Sequence, residues 1–174
     1  FEAIEKLAAD LGVPFRFDSG IFPRLNGDAD PLALRLRPEE VAAVDFADAG
    51  RAQLWKKYYA SRRDIPQTNR LYGCRAGITN FWIDPAGNLQ PCLMIRRIRR
   101  NIGSEGFAAA WKNVCEQMNA LTAGTASACS ACPKKPLCGY CPGFFELETG
   151  SEQSPSRFLC GVGQSRLEAL SNVA

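Results

Sequence analysis

The cysteines narrow this chain more than any other feature. Cys129-x2-Cys132-x5-Cys138-x2-Cys141 puts two Cys-x2-Cys pairs into one short stretch, Cys74-x12-Gly87-x4-Cys92 precedes it, Cys115 stands alone between them, and Cys160 follows after 18 more residues. A Cys-x2-Cys pair lets two thiolates face one metal centre from a tight turn, and two such pairs close together can supply four ligands from one loop. The chain has no histidine. That excludes imidazole general-base chemistry, Ser-His and Cys-His nucleophile pairs, and mixed Cys/His zinc sites. A metal held by this pattern is held by sulfur.

Three chemistries compete for the thiols. One zinc uses four thiolates and leaves three unexplained, whereas two cubane clusters use seven or eight. Pro133 and Pro142 directly follow Cys132 and Cys141, and a Cys-Pro step also ends the bacterial ferredoxin ligand run. Both points favour iron–sulfur over zinc. Disulfides fit least well, because seven is odd, the pairs are clustered and no signal peptide is visible. Cys115 shares a helix face with Trp111 and Met118 and reads as a small apolar packing residue outside the ligand set.

The rest of the chain reads as one domain-sized α+β unit. Its 174 residues carry 21 Lys plus Arg against 18 Asp plus Glu, with 46% hydrophobic residues. No apolar run approaches the roughly 18 residues of a membrane span, and a net charge of +3 is too small for a nucleic-acid footprint. Neither a membrane nor a nucleic acid is expected as partner, and a cytoplasmic setting is. The start at Phe1, inside a helical pattern, predicts a piece of a longer protein.

Ile4, Leu7, Ala8 and Leu11 predict a helix stopped by Gly12, and Val13–Phe17 predicts a strand. Residues 19–31 read as a linking loop. Pro38-Glu39-Glu40 opens a short helix, and Arg51 to Arg63 continues with Leu54, Trp55, Tyr58 and Tyr59 as a core-facing stripe. Phe81–Asp84 and Leu89–Cys92 predict a hairpin around residues 85–88, with Cys92 at or just past a strand end. An amphipathic helix is predicted over about Glu105 to Leu121 and a short one over about Gln164 to Leu170. Between them, residues 122–163 show no sustained period, so something other than a hydrophobic core is expected to order them. Seven of the eight cysteines are expected outside regular helix.

These spacings resemble the SPASM domain, the cysteine-rich C-terminal extension of radical S-adenosylmethionine enzymes, whose pattern is C-x9–15-G-x4-C, then C-x2-C-x5-C-x3-C, then a final C. Residues 74–92 fit its first half, and Cys129, Cys132, Cys138 and Cys160 fit the second. LYGCRAG, FWIDPAGNLQPCLM and LCGYCPG look close to members thought to modify ribosomally made peptides. The motif covers about 74–160.

The resemblance implies two auxiliary [4Fe–4S] clusters, the first on Cys74, Cys92 and Cys141 and the second on Cys129, Cys132, Cys138 and Cys160. It implies a division into residues 1–20 as the end of a partial (β/α) barrel, 21–73 as linker and helices, and 74–174 as the auxiliary-cluster domain. It further implies electron transfer or substrate placement for a peptide or protein substrate, in partnership with the catalytic radical domain of the same chain.

The sequence departs from the pattern in three places. The last pair is x2 rather than x3, no cysteine lies between Ile65 and Gly73 to complete the first cluster, and the C-x3-C-x2-C loop that holds the S-adenosylmethionine cluster is absent. S-adenosylmethionine and a third [4Fe–4S] cluster therefore belong to a domain outside these residues, and the fragment is not expected to be active alone. Arg96, Arg97, Arg99 and Arg100 could offset the charge of about −2 on an oxidised four-thiolate cubane, hold an acidic peptide, or line a solvated face. The competing function is a zinc-stabilised protein- or peptide-binding module without redox chemistry, and a third is a stand-alone scaffold or electron carrier.

Overall fold

Asp84 ends one short strand and builds the turn that starts the next. In the computed structural model, which describes residues 1–65, 68–124 and 128–172, its Oδ1 accepts the N–H groups of Ala86 and Asn88, each at 2.9 Å, and its Oδ2 accepts Asn88 Nδ2 at 2.8 Å. Gly87 takes φ +78°, which the turn needs and a side chain would strain. Strand β1 (Trp82–Ile83) thereby folds back on β2 (Asn88–Gln90), with Trp82 opposite Gln90 and Ile83 opposite Leu89.

A third strand, β3 (Arg100–Asn101), pairs on the far side of β2 and completes an antiparallel sheet of order β1-β2-β3. The helices are α1 (Glu2–Asp10), α2 (Pro38–Asp45), α3 (Ala49–Arg62), α4 (Ile102–Glu105), α5 (Phe107–Ala120), α6 (Lys135–Cys138), α7 (Pro142–Thr149) and α8 (Arg157–Ser171), with a 3-10 helix at Asp30–Leu34. Mixed helix with a small antiparallel sheet is the expected α+β class. Among the described residues no helix is long and apolar enough to cross a membrane.

Two apolar cores hold these elements. In the first, Val114 and Met118 of α5 pack on Leu89 of β2 with Leu71, Tyr72, Ile95 and Ile98. In the second, Val41 of α2, Phe144 and Phe145 of α7, and Phe158, Leu159 and Val162 of α8 pack together. Full burial of such a side chain is worth about 1.5–3 kcal/mol. A buried ion pair ties the second core to α6: Arg166 Nε donates to Asp45 Oδ2 at 2.8 Å, and its Nη1 donates to the Leu137 carbonyl at 2.7 Å. Burial holds the Asp45 carboxyl above its usual range even with Arg166 opposing the shift.

Several expectations need correction. Residues 13–17 form no strand, because no other described segment offers them a ladder to join. The α1 stripe is largely uncovered, with Ile4, Leu7 and Leu11 exposed and Ala8 buried. In α3, Leu54 and Tyr58 are exposed and Ala52 is buried, while Trp55 stacks on Phe46 with the Arg166 guanidinium over its ring.

The stretch from 122 to 163 does contain a hydrophobic core, contributed by α7 and the start of α8. Helices of four and eight residues, α6 and α7, are too short to print a period. The last helix starts at Arg157 instead of near Gln164. Gly161 and Gly163 weaken its sequence signal, but Gly163 is required by packing, since a Cβ there would stand 2.7 Å from the Cβ of Cys138.

Candidate metal centre

Three elements deliver the first group of thiols. Cys92 lies two residues past the end of β2, half-buried, and the backbone N–H groups of Ile95 and Met94 donate to its sulfur. Cys141 is the N-cap residue of α7, where the N–H groups of Phe144 and Gly143 point at its sulfur. Such donors, with the positive end of the helix, favour a thiolate. Cys74 is exposed, between the backbone bridges Arg70↔Thr122 and Ala76↔Asn80. Burial raises the Cys92 and Cys141 thiols; Cys92 also feels Cys74, and Cys141 feels both Cys92 and Cys74. Met94 adds a thioether, with its Sδ 3.9 Å from Cys141 Sγ. Cys74 opens on a cleft of about 410 Å³ that Tyr58, Arg62, Lys135 and Tyr140 also line.

The second group gathers where α8 crosses α6. Cys129 and Cys132 belong to a turn in which the Cys132 N–H donates to the Cys129 carbonyl at 3.4 Å. Cys138 ends α6 and is buried, while Cys160 stands in the first turns of α8 and is exposed. All four line one cavity, closed on its apolar side by Phe145 and Leu159 and flanked by Lys134 and Lys135. Burial pushes the Cys138 thiol up to about 11, reinforced by Cys160, Cys129 and Cys132. The sequence expectation that seven cysteines avoid regular helix is therefore corrected, since Cys115, Cys138 and Cys160 all lie on helices.

The division cuts through one Cys-x2-Cys pair. Gly139, at φ +71°, ends α6 in the left-handed conformation, and Cys141 then opens α7 in another direction. Tyr140 sits between the groups: its hydroxyl donates to the Leu71 carbonyl at 2.9 Å, and burial, with Cys129, Cys138 and Cys141 nearby, pushes it up to about 12. Cys115 stands apart on α5, raised by burial and by Glu116 with no cysteine contributing.

Among the described residues no three Cys, Asp or Glu side chains come together in a way that could hold one metal ion. None of the eight cysteines is in a disulfide. Comparison with protein-family models, curated proteins and solved structures gives no match.

The arginine run does not act as a unit. Arg97 pairs with Glu152 at 2.5 Å and Arg100 with Glu105 at 2.9 Å, whereas Arg96 donates to the Leu25 carbonyl at 3.2 Å. The cations beside the second thiol group are Lys134 and Lys135, which the sequence reading did not single out. Their place between Cys132 and Cys138 was the available signal, as was that of Tyr140 inside the last pair.

Proposed function

We propose that the chain is an auxiliary iron–sulfur domain of the SPASM type, serving a radical S-adenosylmethionine oxidoreductase that modifies a peptide or protein. In this reading Cys74, Cys92 and Cys141 hold one [4Fe–4S] cluster and Cys129, Cys132, Cys138 and Cys160 hold the other. The observation that carries it is the separation of Cys138 from Cys141, each sensing a different set of thiols. An interleaved ligand order needs one loop pinned to two centres, and the left-handed Gly139 between Cys138 and Cys141 supports that arrangement.

The donor chemistry fits the group. Thiolates are the ligands of iron–sulfur clusters, and the four thiols of the second set line one small cavity with Phe145, Leu159, Lys134 and Lys135. Bound clusters supply one-electron chemistry for electron transfer or substrate placement.

The chain's own residues shape the surroundings. Phe145 and Leu159 keep water from one side of the second group, Lys134 and Lys135 offset negative charge, and the backbone N–H groups at the start of α7 stabilise the Cys141 thiolate. The proposal includes a cytoplasmic setting, where thiols stay reduced. Absorption of anaerobically prepared protein tests it: broad absorbance near about 400 nm supports clusters, and a colourless protein carrying zinc means a structural binding module.

A further inference from the structure

A cleft of about 720 Å³ lies on the side of the hairpin facing the loop of residues 22–31, outside both thiol groups. That falls within the roughly 300–1,000 Å³ of small-ligand sites, which are apolar clefts with a few fixed polar groups. Trp82 and Leu93 line it from the hairpin side, partly exposed at 43% and 38%, and Phe22 from the loop side.

Its polar groups are not equivalent. Gln90 lines the cleft at 3% exposure, and its Oε1 has no hydrogen-bond partner among the described residues. A buried acceptor left unpaired costs free energy that a ligand N–H would restore. Arg24 already pairs with Asp28 at 3.2 Å, and Asp84 is engaged by the turn it builds. Arg96 gives one N–H to the Leu25 carbonyl and has no carboxylate partner among the described residues. The cleft therefore offers an acceptor that a ligand reaches once the Gln90 side chain turns toward it, a guanidinium with no carboxylate partner among the described residues, and an apolar wall with an indole.

We propose that this cleft binds a peptide carboxylate, with Arg96 taking the carboxylate, Gln90 Oε1 accepting a neighbouring backbone N–H, and Trp82 with Leu93 covering an apolar side chain. A carboxylate next to an amide occurs at a peptide C-terminus and at an internal Asp or Glu. The shared chemistry is an anion beside an N–H donor. The site requires no metal, so it stands or falls apart from the cluster reading.

The test is fluorescence anisotropy of the purified chain with short fluorescein-labelled leucine–alanine peptides. One has a free C-terminus, one a C-terminal amide, one an amide with an internal glutamate, and one a free C-terminus with the last backbone amide N-methylated. Binding by the free acid marks a C-terminal site, binding by the glutamate peptide marks an internal one, and either supports the proposal. The neutral amide and the N-methylated peptide should bind about tenfold and about fivefold more weakly, as loss of a charged and a neutral hydrogen bond requires.

Arg96→Gln, a surface change, should lose about tenfold, and Gln90→Leu should lose about as much as N-methylation. The N-methylated peptide tests Gln90 even if that variant does not fold. Equal binding of acidic and neutral peptides, no binding at about 1 mM, or wild-type affinity in Arg96→Gln overturns the proposal.

Discussion

Cys138 and Cys141, three positions apart, belong to different thiol groups: Cys138 senses Cys160, Cys129 and Cys132, and Cys141 senses Cys92 and Cys74. Gly139 makes the separation by ending α6 in the left-handed conformation, so that Cys141 can begin α7 on a new axis. Two neighbours in sequence thus link α8 to the strand end at Cys92.

Substitution should separate the two groups. Cys138→Ala is expected to remove about half of the iron, and Cys141→Ala the other half, each leaving about four iron per chain. Cys115→Ala should keep the full content. Iron analysis with EPR of each variant checks this, and equal losses in all three would place Cys115 among the ligands.

The approach of α8 to α6 depends on Gly163. In Gly163→Ala the new Cβ would stand 2.7 Å from Cys138 Cβ, so the helices must separate, at about 1–3 kcal/mol. Thermal unfolding should move down by roughly 3–10 °C. Metal should be lost from the second group before the first.

The buried pair of Asp45 and Arg166 makes a sharper stability prediction. Arg166→Met leaves a buried carboxylate without its partner and releases the Leu137 carbonyl on α6, which should cost about 3–5 kcal/mol. Adding Asp45→Asn should restore part of that loss, because the stranded charge goes with it. Denaturant unfolding of both variants measures the difference.

Thiol reactivity in the reduced, metal-free chain should follow burial. Cys138, pushed up to about 11, should be alkylated by iodoacetamide later than the exposed Cys74 and Cys160 near about pH 8. Its folded value lies above the ordinary value of 9.0. The neutral thiol therefore contributes stability that is present below about pH 9 and lost as pH rises through about 11. Metal loading runs the other way, improving as pH rises, because the ligands must lose protons.

Legibility in the sequence followed local chemistry. The Pro/acid start of α2, the hairpin loop at residues 85–88 and the place of Cys92 just beyond β2 were all readable, because each is set by residues within a few positions of one another, although Asp84, expected in the strand, builds the turn. Beyond that reach the pattern fails. β3 has two residues and exists only because β2 is beside it. Phe144, Phe145 and Phe158 form a core across elements too short to show a period. Gly161 and Gly163 weaken the helical signal of α8, and in the fold they are where Pro38 and Cys138 come close. Both metal-ligand sets were proposed from spacing and family resemblance, but spacing says nothing of Gln90, whose unpaired oxygen only packing reveals.

The most direct test of the central claim is the iron, sulfide and zinc content of anaerobically prepared protein, with an EPR spectrum after dithionite reduction. The account predicts about eight iron and eight sulfide per chain with reduced-cubane signals. One or two zinc per chain, retained after anaerobic reconstitution with iron and sulfide and without an EPR signal, would contradict it.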